Sequence, residues 1–534
     1  MAVDFEKTYD VVIVGGGPVG LGLAIELGQR GCSVAVVEKY PTVHQIPKGQ
    51  NLTQRTMEHF HFWGAEEQLR AARTVPKGYA IGGMTSYATL LSGYHYDWLQ
   101  RALVAPYYFC ENERLPQYAT EQVLRRRAAE VAGVDIAYGW SGTGVAQDET
   151  SATVTIQSRD GQTQTLSGQY VVGSDGSHSA IREAAGITQT KSEHDKLMVL
   201  LVFKSTGLHD YLERYPGKQF YCVLHPEQKG YWRFFGRVDL GSTWFFHAPV
   251  PLGTTKDNFD FKAFLERAVG AEIDVAFDHI GFWDLRIALA DNYRSGRVFV
   301  AGDAAHSHPP YGGYGINTGF EDAHNLGWKL AARLQGWGGE GLLDSYDAER
   351  RPVFASTADD FIERFIREDH KFLERYNPDR NQPEFEQAWN TRNEGSSEVM
   401  AFEPNYDGSP VVFGDDSQSP SAKGAHRFQA QAGHHLAPAP MSDGSNSFDR
   451  LGAGFTLFDF AGLPGIASDF VKAAKGMNLP LTVVSDPDAT AAREKYGCDL
   501  ILVRPDQFVA WAGDRLDRSA AEILAKVSGA PAHD

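Results

Sequence analysis

The stretch 10-DVVIVGGGPVGLGLAIELGQRGCSVAVVEK-39 decides the fold. A β-branched run meets a glycine cluster, a long apolar segment follows, and a second β-branched run ends on an acid. The pattern predicts a strand over 9–14, a glycine turn, a helix over 17–30 and a strand over 33–38, which is a βαβ unit. The spacing GxGxxG falls on Gly15, Gly17 and Gly20, with Pro18 inside it, and Glu38 closes the second strand. Gly15 permits the tight turn, Gly17 lets backbone approach a pyrophosphate, and Gly20 lets helix and strand pack closely. The helix N-terminus brings N–H groups and a positive dipole end to the phosphates, and Glu38 is placed to accept from ribose hydroxyls. The motif alone does not separate FAD from NAD(P).

Working outward, the 534 residues exceed what one core usually supports, so two or three domains are expected. Apolar residues are 42% and charged residues 22%, as in ordinary globular proteins. A net charge of −18 argues against nucleic acid or an anionic membrane as partner. No apolar run reaches the roughly 18 residues of a membrane span. The N-terminal MAVDFEKTYD lacks the basic and apolar regions of a signal peptide. Cys32, Cys110, Cys222 and Cys498 are far apart with no CxxC, which points to a reducing cytoplasm and to no zinc site.

Two further segments carry chemistry. In 297-RVFVAGDAAHSHPPYGGYGINTGFEDAHNLGWKLAA-332 a strand ends at Gly302 and Asp303, and a glycine loop feeds a helix expected over 318–335. In 170-YVVGSDGSHSAIR-182 a strand ends at Ser174-Asp175-Gly176, with Arg182 close behind. With these three motifs in order, residues 8 to 365 resemble the class A flavoprotein monooxygenases, the family of para-hydroxybenzoate and phenol hydroxylases. The resemblance implies FAD, reduced by transient NADPH or NADH, reacting with O2 to a C4a-hydroperoxide that hydroxylates a small electron-rich aromatic such as a phenol. An FAD dehydrogenase or reductase without oxygen insertion is the alternative.

The family's roles fall on particular positions. Glu38 is implied to hold the adenosine ribose, Gln117 the ribityl or phosphate region, Asp175 the flavin region of its Asp-Gly motif, and Asp303 the ribityl hydroxyls. Lys48 stands where many members have arginine; Arg55 either shares that duty or lies on a helix surface. Gly302, Pro310, Gly313, Gly315, Ile316 and Asn317 form the flavin loop. Its glycines let backbone lie flat on the ring system, and a helix starting near Asn317 stabilises reduced-flavin charge. Pro309 and Pro310 stiffen the approach. Tyr311 and Tyr314 either shape the pocket or pack against the sheet, and His306 and His308 pack or cap rather than bind metal. Gln50 falls near where phenol hydroxylase has an acidic base; an amide takes no proton, so no general base is assigned.

The β-rich segment 195–285 is expected to be an antiparallel sheet with Tyr221, Tyr231, Trp232, Arg233, Phe235, Trp244, Phe246 and His247 as candidates for a pocket floor. Strand alternation puts Tyr231, Arg233 and Phe235 on one face, opposite Trp232 and Phe234; Arg233 is a candidate for carboxylate or phenolate binding. The last hundred residues resume an α/β rhythm. From about 421, with VRPDQFVAW at 503–511, they resemble the thioredoxin-like extension of phenol and polyketide-aromatic hydroxylases, without CxxC and so without expected redox activity. The extension suggests a stabilising role or subunit contact in a homodimer.

The expected architecture is α/β: a Rossmann-type FAD-binding domain in three parts (1–75, 111–190, 286–365), an inserted β-sheet substrate domain in two (76–110, 191–285), a linker or wrapping segment (366–420) and a thioredoxin-like domain (421–534).

Overall fold

The computed structural model describes residues 3–394, 398–462 and 464–530. The opening βαβ unit forms as the glycine spacing requires, with strand Thr8–Val14, helix Pro18–Gln29 and strand Val34–Glu38. Proline at the first helical turn fixes φ where its missing N–H is not needed. Helix Pro18–Gln29 buries residues all round, from Leu21 through Leu27, because the sheet lies on one side and helix Tyr314–Leu334 on the other.

These strands sit in a sheet ordered Arg294–Ser295, Val298–Val300, Thr163–Gly173, Thr8–Val14, Val34–Glu38, Val134–Tyr138. Five of these strands run parallel, and Thr8–Val14, Val34–Glu38 and Val298–Val300 at its centre are buried along most of their length, which is why they read as Val/Ile-rich runs. Strands Trp140–Gln147 and Ala152–Ser158 extend Thr163–Gly173 as an antiparallel flap.

The second sheet has eight strands, ordered His306–Ser307, Ala276–Ala290, Gln189–Lys204, Thr243–Val250, Trp232–Arg237, Lys218–Leu224, Gly82–Tyr87, His95–Trp98. One pair departs from the expected antiparallel pattern: Lys218–Leu224 runs parallel to Gly82–Tyr87, because the latter arrives from a distant part of the chain rather than through a hairpin. One face packs on helix Phe261–Val269.

Segment 366–420 is largely helical rather than a linker, with Arg364–Arg375, Gln382–Glu394 and Glu398–Ala401 before strand Phe402–Asn405; residues 395–397 of it lie outside the described residues. Most of its charges face solvent, with Asp369 and Glu403 buried, while Ile366, Phe372, Leu373, Phe385 and Trp389 pack into an aromatic core with Tyr87 and Tyr96. The C-terminal unit has a separate sheet ordered Leu481–Ser485, Phe455–Asp459, Leu500–Val503, Val509–Gly513. Among the described residues no helix is long and apolar enough to cross a membrane.

Candidate active site

The parallel strands end on a cavity of about 860 Å³. Gly15, Gly17, Pro18, Glu38, Lys48, Gln117, Asp175, Asp303, Pro310, Gly313, Tyr314, Gly315 and Ile316 all line it, so the structure brings most of the expected cofactor residues together. The three motif glycines differ in what they do. A Cβ on Gly15, whose φ is +109°, would lie 2.2 Å from the Ser174 carbonyl oxygen, and one on Gly20 would lie 1.9 Å from the Gly15 carbonyl oxygen. A Cβ on Gly17 would meet nothing within 4 Å: that side is open cavity, at the start of helix Pro18–Gln29, which has no capping side chain. Glu38 is aimed by two backbone donors, Gly16 N–H to Oε2 and Tyr40 N–H to Oε1, each 2.7 Å. Gln117 Oε1 accepts from Gly49 N–H at 3.3 Å.

Asp303 faces the open cavity although protein surrounds it on its other sides. That burial raises its carboxyl pKa, with His306 and Lys48 opposing. Asp175 is also raised by burial; it accepts from Ser179 Oγ and, at 3.3 Å, from Ile181 N–H, so it braces the following helix as well as lining the cavity. Helix Tyr314–Leu334 starts earlier than expected, capped by Gly313 at φ +71° with no side chain on its first-turn N–H groups.

Several expected residues lie elsewhere. Gly20 and Gly302 shape the backbone beneath the cavity; a Cβ on Gly302 would lie 2.9 Å from Val19. Asn317 donates to the Asn51 and Gly313 carbonyls and accepts from Thr53 N–H, fastening the loop rather than facing the cavity. Arg55 neither lines the cavity nor lies on a free helix surface: it is held by Glu321, Glu58, Gln507 and the Asp506 carbonyl. His306 Nε2 contacts Asp322 at 2.6 Å, and its ring stacks on Phe354.

A second cavity of about 550 Å³ opens between the loop and the eight-stranded sheet. The two share ten lining residues, among them Asp303, His308, Pro310, Gly313 and Gly315. Its walls are Trp98, Phe220, Phe234, Phe245 and Trp283, with His247 between them. Of the eight floor candidates only His247 lines it. Register explains the reversal: Phe234 pairs with His247, and Phe245 lies two residues before His247 on the same face. Arg233 and Phe235 therefore point the other way, where Phe235, Tyr221, Trp244 and Phe246 pack on helix Phe261–Val269. The Arg233 guanidinium sits 5.0 Å over the Phe264 ring and 3.7 Å from Glu227. Gly236 makes room, since a Cβ there would lie 2.0 Å from the Phe245 ring.

Tyr311 is not in either lining. Its ring packs against Trp232, with centroids 4.4 Å apart, and against Trp98 at 5.7 Å. Burial pushes His247 down to about 3 and His308 down to about 4, so both imidazoles are neutral at pH 7. His308 Nε2, His247 Nδ1, Ser307 Oγ and both amide atoms of Gln50 are buried with no hydrogen-bond partner among the described residues.

The larger cavity fits FAD by its donor set. It offers an open glycine edge at a helix N-terminus for a pyrophosphate, an oriented carboxylate for a ribose, and at Asp303 a carboxylate with no partner among the described residues. A model of the FAD binding domain matches residues 8–360, and one of the aromatic-ring hydroxylase C-terminal region matches 429–531. The chain belongs to the FAD-dependent aromatic-ring hydroxylases. The hydroxylase is 32% identical to a 4-methyl-5-nitrocatechol 5-monooxygenase of a Burkholderia species, over 94% of this chain and 93% of that one. It resembles the structure of aklavinone-11 hydroxylase with FAD and aklavinone at TM-score 0.80 and 25% identity, covering 99% and 100% of the two chains. It resembles the rebeccamycin biosynthetic enzyme with reduced flavin at TM-score 0.82 and 27% identity, covering 98% and 99%. The hydroxylase is an FAD-dependent monooxygenase of aromatic compounds, using O2 and NAD(P)H, rather than a dehydrogenase without oxygen insertion.

Proposed function

We propose that FAD lies along the larger cavity and that an electron-rich aromatic ring is hydroxylated in the smaller one. The observation that carries this reading is the meeting of the two cavities at His308, Pro310, Gly313 and Gly315, where an occupant of one comes against an occupant of the other. Bound FAD, reduced by NADPH or NADH, supplies the electrons that activate O2 for insertion into the ring. Glu38 holds the adenosine ribose, the N-terminus of helix Pro18–Gln29 the pyrophosphate, and Asp303 the ribityl hydroxyls. The uncapped N–H groups of Gly315 and Ile316 stabilise negative charge at the flavin edge they face. Lys48, exposed to both cavities, adds a mobile positive charge at the junction.

Phe234, Phe245, Trp98 and Trp283 hold a flat ring and exclude water. The neutral imidazoles of His247 and His308 serve as hydrogen-bonding groups rather than cations.

The parallel sheet supports assigning 1–75, 111–190 and 286–365 to the FAD domain, and the eight-stranded sheet supports 76–110 and 191–285 as the substrate domain. In the C-terminal unit, 421–534, the strand order second–first–third–fourth, with the first two parallel and the third reversed, supports a thioredoxin-like fold. Four free thiols accord with a reducing cytoplasm.

Reconstituting the protein with FAD and running it with NADPH or NADH, a panel of phenols and 18O2 tests this reading. One labelled oxygen in the aromatic product is expected; reduced-nicotinamide oxidation with no labelled product from any phenol would overturn it.

A further inference from the structure

Arg114 ends the short strand Glu113–Arg114, which pairs with Asn51–Leu52 where the two sheets join. It lines the aromatic cavity and is absent from the lining of the cofactor cavity. Only 4% of it is exposed, yet among the described residues no carboxylate comes within ion-pair distance of its guanidinium. Its Nη1 donates to two neutral acceptors, Gln219 Oε1 at 3.1 Å and the Arg237 carbonyl at 3.0 Å, while Nη2 has no partner. The guanidinium lies 5.6 Å from the Phe220 ring centroid and 6.0 Å from that of Phe245, both walls of the same cavity.

A buried cation without a counter-charge is costly, and burial pushes Arg114 down to about 9, which still leaves it charged at pH 7. The neighbouring polar groups supply no negative charge. Gln50, 5% exposed, keeps both amide atoms unpartnered, and the Leu115 N–H on the Gln50 carbonyl fixes the two segments side by side. His247, 6% exposed, is neutral with an unpartnered Nδ1. Elsewhere on the lining, Asp303 and Asp284 are the acids, and Arg286, Lys48, His178, His279, His306 and His308 the basic side chains.

Resting on the functional reading above, we propose that Arg114 makes the aromatic cavity selective for a ring carrying an anionic oxygen group, a carboxylate or an acidic phenolate, whose charge completes the pair that the protein leaves open. Gln50 and His247 then meet the ring's remaining polar substituents. The ring itself packs between Phe220, Phe234 and Phe245, so the charge fixes which edge of it turns away from the cavity junction.

Matched aromatics with and without the acid test the assignment on the FAD-loaded enzyme: 3-hydroxy-2-naphthoate against 2-naphthol, with binding read by protein and flavin fluorescence and turnover by product analysis. The naphthoate is expected to bind wild type at least about tenfold more tightly, as a charge-assisted pair in a dry site implies. Arg114→Gln should bring that ratio to about one while leaving naphthol binding within about twofold, and Arg114→Lys should keep part of the preference. Equal binding of the two compounds by wild type, or an undiminished ratio in Arg114→Gln, would overturn the proposal. Equal wild-type binding overturns it even if the variants fail to fold, and Arg286→Gln, which should keep the preference, separates Arg114 from another cation on the lining. Efficient hydroxylation of naphthol without preference sinks the acid selectivity alone. Uncoupled nicotinamide oxidation with no product from either compound sinks the hydroxylase reading.

Discussion

The Tyr311 hydroxyl donates to Glu398 Oε2 at 3.4 Å, tying the loop between the two cavities to the short helix Glu398–Ala401. The carboxyl is enclosed by Trp98, Tyr311 and Tyr314, although the residue as a whole is partly exposed. Burial pushes the Glu398 carboxyl up to about 7, with Arg101 opposing. A carboxyl raised in the fold holds its proton between the ordinary carboxylate range and about pH 7, where the unfolded chain has lost it. Stability therefore falls as pH rises through that window. Glu398→Gln carries no charge at any pH and should flatten the decline by on the order of 2 kcal/mol between about pH 5 and pH 8. Asp369, pushed up to about 6 by burial, titrates in the same range but is common to both proteins, so the difference isolates Glu398. Urea unfolding at the two pH values measures it, and parallel slopes would reject it.

Gly17 and Gly20 belong to one motif but should fail differently. Gly17 has φ −76°, which alanine adopts freely, and its Cβ would enter open cavity. Gly17→Ala should leave the apoprotein's melting temperature unchanged and weaken FAD about tenfold or more, through a clash with the bound pyrophosphate alone. Gly20→Ala puts a Cβ 1.9 Å from a carbonyl oxygen. It should cost the apoprotein about 2 kcal/mol or more by forcing helix from strand. Calorimetry of the apo forms with FAD titration separates the two; equal apo stabilities would show that Gly20 is not the close-packing position.

What was legible in the sequence follows the same division. Gly15, Gly17, Gly20 and Glu38 were readable because their roles are set by backbone geometry within some twenty-five residues of chain. Alternation correctly separated Arg233 and Phe235 from Phe234, yet it did not say which face meets the loop. That depends on helix Phe261–Val269 covering the other side, a tertiary fact. Tyr311 sits next to flavin-loop residues but turns back into an aromatic core built partly from the distant Trp98 and Phe365. Composition alone leaves the charged run from 366 as a linker or wrapping segment, because it ignores phase; Ile366, Phe372 and Leu373 fall on one helical face. Arg114 had a weak signal, a charge within 113-ERLPQ-117 just before Gln117, but its missing counter-ion is visible only in three dimensions.

The reversed sheet face gives a direct test. Arg233→Met keeps most of the packing over Phe264 and removes a charge that never reaches the cavity. It should change the KM of any accepted aromatic by less than about twofold. Phe234→Ala removes a cavity wall and should raise KM about tenfold, the scale of losing an aromatic contact with the ring. A large KM effect at Arg233 with none at Phe234 would mean that the substrate lies on the other face.

The C-terminal unit reaches helix Tyr314–Leu334 through buried charge. Arg504 donates to Glu349 Oε1 and Oε2 at 2.6 and 2.9 Å and to Asp506 at 2.9 and 2.6 Å, while Lys329 Nζ meets Glu349 at 2.6 Å and Trp328 Nε1 meets Asp506 at 3.0 Å. Lys329 and Trp328 lie on helix Tyr314–Leu334, whose other end carries the uncapped N–H groups of the cofactor cavity. Arg504→Met leaves two buried carboxylates against one ammonium and should cost about 3–5 kcal/mol. If charge imbalance rather than lost packing is the cause, adding Asp506→Asn should restore about half, because it returns the cluster to one negative and one positive group while preserving an acceptor for Trp328. Denaturant midpoints of the single and double variants decide between the two causes. FAD release followed by flavin fluorescence should track the same order, since a loosened C-terminal contact frees the helix that faces the flavin edge.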